Sequence, residues 1–207
     1  MGAVIVCDFP EQWPELLPTV MSGLTSGKEN EVEGALLALT EMFKAYRHVA
    51  SCSFMYLSDS LARFQLSGRE VPNQLAEKML PLLVQLGSGL LAQIPQPAAP
   101  AATGRTLHLI FKIYRATIQT EMTPHHQAQQ SIVPWGTLFL QVVNRSLSPA
   151  DVPEDTEERE KCSWWKAKKW AYFCVSQSYQ ILLPGLMGSV RIAQSALFKI
   201  RLTKSAR

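Results

Sequence analysis

The stretch Asn30-Glu-Val-Glu-Gly-Ala-Leu-Leu-Ala-Leu-Thr-Glu-Met-Phe-Lys-Ala-Tyr-Arg-His48 carries Val32, Leu36, Leu39, Phe43 and Tyr46 at intervals of four, three, four and three. That spacing follows the turn of an α-helix and puts five large apolar side chains on one stripe, widened by Ala35 and Met42. Just upstream, Asp8-Phe9-Pro10 sets a capping carboxylate before a proline suited to a first helical turn. The helix it opens carries Trp13, Leu16, Leu17 and Val20 and ends at Gly23 and Gly27. Two helices joined by a short glycine-containing turn make an antiparallel hairpin.

The same period continues downstream. It predicts a third helix over 72–94 through Leu75, Met79, Leu82, Leu83, Leu86 and Leu90, with a kink or break at Pro81 because proline removes a backbone donor. A fourth helix is predicted over 104–122 with Leu107, Ile110, Phe111, Tyr114 and Ile118 on one face. A fifth opens at Pro134 with Trp135, Leu138, Phe139, Val142 and Val143. Residues 48–68 show no clean period and read as an irregular loop, and the Pro/Ala-rich 95–103 reads as a semi-rigid linker. Almost nothing alternates with period two. The fold class is therefore all-α, an α-solenoid of antiparallel helix pairs in which each pair covers its neighbour.

Composition narrows function by exclusion. Hydrophobic residues make up 47% of the 207 positions, enough for a core, and the formal charge is only +3, which does not suggest a strongly basic nucleic-acid binder. Cys7, Cys52, Cys162 and Cys174 form no C-x-x-C pair and read as reduced thiols. The run before Asp8 lacks the cationic start of a secretion signal. The charge-free run 171–190 holds too many Gln, Ser and Gly for a membrane span. His125 and His126 lie in a polar linker without nearby carboxylate or cysteine, His48 and His108 sit on helices, and no G-x-S-x-G or glycine-rich phosphate loop occurs. These residues predict no enzyme, no metal and no cofactor.

One charged block stands out. Residues 151–160 hold six acids and one base, within an acidic loop over 147–160 that runs into Ser163-Trp-Trp-Lys-Ala-Lys-Lys-Trp-Ala-Tyr172. On a helical wheel Trp164, Ala167, Trp170 and Ala171 share one face. The acids fall where the positive end of that helix's dipole favours them, and the lysines fall later, where cations are favoured. Two readings stay open: helix-end electrostatics with solubility, or a surface that draws in a basic partner through Asp151, Glu154, Asp155, Glu157 and Glu158.

Several blocks together resemble a known family. Asp8-Phe-Pro-Glu-Gln-Trp-Pro-Glu-Leu-Leu17 is similar to the D-[YF]-P-x-x-W start of a HEAT repeat in the importin-β superfamily. Ala35-Leu-Leu-Ala-Leu-Thr-Glu-Met-Phe-Lys-Ala-Tyr46, Ile110-Phe-Lys-Ile-Tyr114, Pro134-Trp-Gly-Thr-Leu-Phe-Leu-Gln-Val-Val-Asn144 and Glu157-Glu-Arg-Glu-Lys-Cys-Ser-Trp-Trp-Lys-Ala-Lys-Lys-Trp-Ala171 follow in the order of the importin-seven and importin-eight branch. The resemblance covers 8–172 and corresponds to the N-terminal third of a much longer nuclear transport receptor. Residues 1–7 are unmatched, and 173–207 are expected to be a divergent, poorly packed basic tail.

The resemblance implies a HEAT-type solenoid and a nuclear import receptor that binds basic cargo, such as ribosomal proteins or histones, in a Ran-GTP-regulated cycle. It also implies nuclear pore proteins as partners and a place in cytoplasm, nucleus and nuclear envelope, with no direct contact to nucleic acid. Ran-GTP binding by this chain is expected to be weak or absent, because a principal Ran contact in the family lies upstream of the matched region. The alternatives are a HEAT-repeat scaffold or adaptor unrelated to transport, or a nonfunctional truncated product.

Overall fold

The computed structural model describes residues 15–52, 59–95, 100–119, 124–147 and 155–182, with 46–52, 59–72, 156 and 181–182 described by backbone alone. Among them are eight helices and no strand: α1 Leu16–Thr25, α2 Glu29–Cys52, α3 Asp59–Gln93, α4 Ala101–Ile118, α5 Pro124–Gln127, α6 Gln129–Asn144, α7 Thr156–Lys161 and α8 Ser163–Leu182. The expected Asp8-Pro10 cap, with Trp13, lies outside the described residues.

The first hairpin forms as its residues dictate. Leu16, Val20 and Leu24 give α1 one buried stripe, and Val32, Ala35, Leu36, Leu39, Met42 and Phe43 give α2 another. Between them Gly27 adopts φ 73°, a left-handed conformation that glycine enters without the Cβ clash other residues meet. The side chain of Tyr46, last of the predicted stripe, lies outside the described ones.

The helices stack as three pairs in two layers. α1 packs on α2, α3 on α4 and α6 on α8; across pairs α2 packs on α4 and α4 on α8 in one layer, while α3 packs on α6 in the other. This is an all-α, HEAT-type solenoid. α4 lies between its neighbours and is the most enclosed element: Leu107, Ile110, Phe111, Ile113, Tyr114 and Ile118 are all buried. Its aromatic side chains meet those of α6, with ring centroids 4.4 Å apart for Tyr114 and Trp135 and 5.2 Å for Phe111 and Phe139.

Five features differ from the sequence reading. The loop expected over 48–68 is helical wherever it is described, because α2 runs on to Cys52 and α3 begins at Asp59. An absent period therefore did not mean an absent helix. α3 also runs unbroken through Pro81, where a kink or a break is predicted from sequence. Pro81 and Glu77, whose carbonyl loses its helical donor, both lie on the exposed side, where water can satisfy that oxygen. Pro134 likewise sits inside α6 rather than opening it, and α4 starts at Ala101, shortening the linker.

The fifth concerns the tail expected to begin at Phe173. α8 continues to Leu182, and Cys174 is fully buried in the core. Its Sγ donates to the Phe111 carbonyl at 3.2 Å, and Ser178 lies 3.5 Å from the Tyr114 hydroxyl. The stripe Trp164, Ala167, Ala171 and Cys174 holds this helical spacing across residue 173, so the helix buries one continuous face.

Among the described residues one segment, Asn73–Gln93, is long and apolar enough by length and composition to cross a membrane. Its Leu75, Met79, Leu80 and Leu83 are buried in the core shared with α2 and α4.

Candidate functional site

The acidic segment is not simply a loop. Asp155 adopts an extended conformation and its carboxylate accepts the Glu158 backbone N–H at 3.1 Å, capping the short helix α7. Glu157 and Glu158 occupy the first turn of α7, where the helix dipole favours anions, and both are exposed to solvent. Asp155, Glu157 and Glu158 are thus brought together on one helix start. Asp151 and Glu154 lie outside the described residues.

The electrostatic reading of the tryptophan helix needs correction. Cys162, in an extended conformation, separates α7 from α8, and α8 has no acid in its first turn and no base in its last. Its lysines therefore lie near the helix start, where the α8 dipole does not favour them. What compensates is another helix: Lys168 Nζ donates to the carbonyls of Val143 and Arg145, at the negative end of α6. Lys169 stays exposed, 3.8 Å from Glu160.

The same corner holds a junction that sequence spacing did not reveal. Trp164 is 2% exposed, and its indole N–H donates to the Pro100 carbonyl at 2.9 Å. The Arg145 guanidinium lies 5.2 Å from the Trp164 ring centroid and donates to the carbonyls of Ile94 and Pro95 at 3.2 and 3.3 Å. Arg145 and Trp164 therefore fasten both ends of the Pro/Ala linker to α6 and α8. Trp165, on the opposite side, is 37% exposed under the guanidinium of Arg159. Arg145 was missed because nothing in sequence marks which carbonyls a distant arginine will reach.

His108 and His126 pack against aromatic neighbours. His126, predicted in a polar linker, is buried at 1% exposure; its Nε2 lies 3.0 Å from Thr117 Oγ1 and its ring meets Tyr114 edge-on. Burial, and then His125 beside it, pulls its pKa down to about 4. Burial also lowers His108 to about 4, helped by Lys112 and Lys166, and pushes the Cys174 thiol up. Among the described residues no group of three or more His, Cys, Asp or Glu could hold a metal ion. A groove of about 560 Å³ between α3 and α6, lined by Leu91, Ile94, Leu140, Asn144 and Arg145 among others, brings in one cation, already engaged with carbonyls.

The fold and these surfaces define a class before any relative is considered: a helical-repeat array with exposed charged edges. No protein-family model matches the chain, and no solved structure does. Among curated proteins it is 29% identical over 179 residues to an importin beta-like SAD2 homolog of Arabidopsis thaliana, covering 86% of this chain and 15% of that protein. It is 24% identical over 186 residues to human importin-8, covering 87% of this chain and 15% of importin-8. It is 27% identical over 174 residues to nonsense-mediated mRNA decay protein 5 of Saccharomyces cerevisiae, covering 83% of this chain and 15% of that protein. Over about 86% of its length the chain is thus homologous to importin-β-like proteins, and it spans about 15% of the length of the relatives it matches.

Proposed function

We propose that this chain contributes to a nuclear import receptor that binds basic cargo proteins in a Ran-GTP-regulated cycle. The observation that carries the reading is the similarity to importin-type proteins of plant and mammal over most of the chain. In this reading the chain is a binding protein and not an enzyme. It works between cytoplasm and nucleus, meeting nuclear pore proteins at the envelope. Asp151, Glu154, Asp155, Glu157 and Glu158 contribute a negative potential that attracts lysine- and arginine-rich cargo such as histones or ribosomal proteins. Asn73–Gln93 serves as a core helix and not as a membrane span.

Ran supplies the test. The chain alone should bind Ran-GTP weakly, whereas a fusion carrying the upstream repeats of importin-8 should bind Ran-GTP in preference to Ran-GDP and release a bound histone when Ran-GTP is added. Histone retention by that fusion at saturating Ran-GTP would overturn the reading. A HEAT-repeat scaffold or adaptor outside transport is the second reading, left open by the 15% of its relatives' length that the chain spans. It predicts indifference to the nucleotide on Ran.

A further inference from the structure

A second charged surface, of opposite sign to the acidic segment, lies on the α4–α8 edge. His108, Lys112 and Arg115 follow one another on α4 at intervals of four and three, which sets them on one stripe. Lys166 and Trp170 are one turn apart on the neighbouring helix α8, with Phe173 next. The two rows interlock: the His108 and Trp170 ring centroids are 5.8 Å apart, and the Arg115 guanidinium lies 5.1 Å from the centroids of both Trp170 and Phe173. Arg115 Nε also donates to Gln177 Oε1 at 3.2 Å, which fixes the guanidinium between the rings. Phe173 remains 37% exposed at the rim.

The acids facing this edge are already engaged. On α2, Glu41 pairs with Lys44 at 2.6 Å and Glu29 with Arg105 at 3.0 Å. Among the described residues neither Lys112 nor Lys166 has an acid within ion-pair distance, though both lie partly exposed. Positive charge thus exceeds negative beside the apolar rings, with Glu41, itself paired to Lys44, the acid that acts on Lys112. The titration behaviour agrees: Lys112 is lowered by burial and then by Lys44, with Glu41 opposing.

We propose that the α4–α8 edge, centred on Lys112, Lys166, Trp170 and Phe173, is a docking surface for an acidic, extended segment of a protein partner. Carboxylates of such a segment would neutralise Lys112 and Lys166 while an apolar or aromatic side chain beside them packs on Trp170 and Phe173. The fixed Arg115 adds specificity, since its planar donors suit a carboxylate better than a diffuse charge would. The partner differs in sign from the basic cargo proposed for the acidic segment, so the two surfaces can be tested independently.

The probe is a short fluorescent peptide of Glu and Asp with one Tyr, compared with the same peptide written in Gln and Asn. Fluorescence anisotropy on the full chain in about 0.1 M salt, where the Debye length is ~10 Å, should show preference for the acidic peptide by about tenfold or more. Lys112→Glu with Lys166→Glu should remove that preference while leaving circular dichroism and the melting midpoint in place. Neutralising Asp155, Glu157 and Glu158 should not weaken the peptide. Equal affinity for both peptides, or undiminished binding by the folded double variant, would overturn the proposal. Tighter binding of a single-stranded RNA oligomer that displaces the acidic peptide would overturn it as well.

Discussion

Glycine 104 and glycine 34 occupy similar helical backbone yet should respond oppositely to the same methyl group. A Cβ on Gly104 would come within 2.9 Å of the Trp164 backbone nitrogen and 3.0 Å of the Ser163 carbonyl carbon, because the start of α4 lies directly against the start of α8. Neither atom can rotate away, so Gly104→Ala should destabilise the fold by about 1–3 kcal/mol, as overpacking does. Gly34 is exposed on α2 with nothing within 4 Å of its Cβ position. Gly34→Ala should instead stabilise by about 0.5–1 kcal/mol by removing backbone freedom from the unfolded chain. Urea midpoints of the two variants against the parent check both signs.

His126 gives a prediction in pH. Its folded pKa of about 4 lies below the ordinary 6.5, so between those values the unfolded chain binds the proton more readily than the folded one. Stability is therefore at its plateau above about pH 6.5 and is lost as pH falls towards 4. His108, lowered in the same direction chiefly by burial, adds to the same window. Melting temperatures taken between neutral pH and pH 4 should decline, and His126→Gln should flatten part of that decline. An unchanged slope in the variant would show that His126 is not the group responsible.

At the scale of elements, the apolar stripes decide what the helices contribute. Leu39 on α2 and Ile110 on α4 are both fully buried, so Leu39→Ala or Ile110→Ala should cost about 2–5 kcal/mol, measured by chemical denaturation. Ile110 belongs to the element packed from both sides, which leaves its neighbours little room to close the cavity. Exposed Lys28, paired only with exposed Glu31, should tolerate replacement. The short helix α7 separates two roles that the sequence left entangled. Asp155→Ala removes the cap and should fray α7, with a local loss of about 0.5–2 kcal/mol, whereas Asp155→Asn keeps an N-cap side chain and removes only charge. Amide exchange at Glu158 distinguishes the two variants.

Across the whole molecule, charge acts at a distance. A variant with Asp151→Asn, Glu154→Gln, Asp155→Asn, Glu157→Gln and Glu158→Gln retains the α7 cap chemistry while losing the negative potential. Its association with a basic peptide should slow more than its release quickens. The difference should fade towards 1 M salt, where the Debye length falls to about 3 Å. An unchanged association rate at low salt, with a lowered melting temperature, would leave these acids only a helix-end role.

The sequence by itself determined the helical class and most of the buried face of α2, α4 and α6, because a 3.6-residue period is written locally in spacings such as Leu36, Leu39 and Phe43. On α3 the predicted Leu82, Leu86 and Leu90 are only half-buried, while Ala76, Leu80, Val84 and Leu91 are buried. The sequence also set Trp164, Ala167, Trp170 and Ala171 on one face and Trp165 and Tyr172 on the other; the first face is the buried one, except that Trp170 is only half-buried, against His108. Where the local signal and the packing disagree, only the tertiary structure decided. Pro81 does not end α3, because its lost hydrogen bond falls on the solvent side. Phe173 does not begin a loose tail, because Cys174 finds the Phe111 carbonyl and the core of α4 waiting for it. The lysines of α8 answer to the end of α6 and not to their own helix, and Arg145 reaches carbonyls some fifty residues away. Periodicity reports which way a side chain faces along its own helix; which distant backbone it meets depends on how the pairs stack, and that is set by the sum of all their buried surfaces.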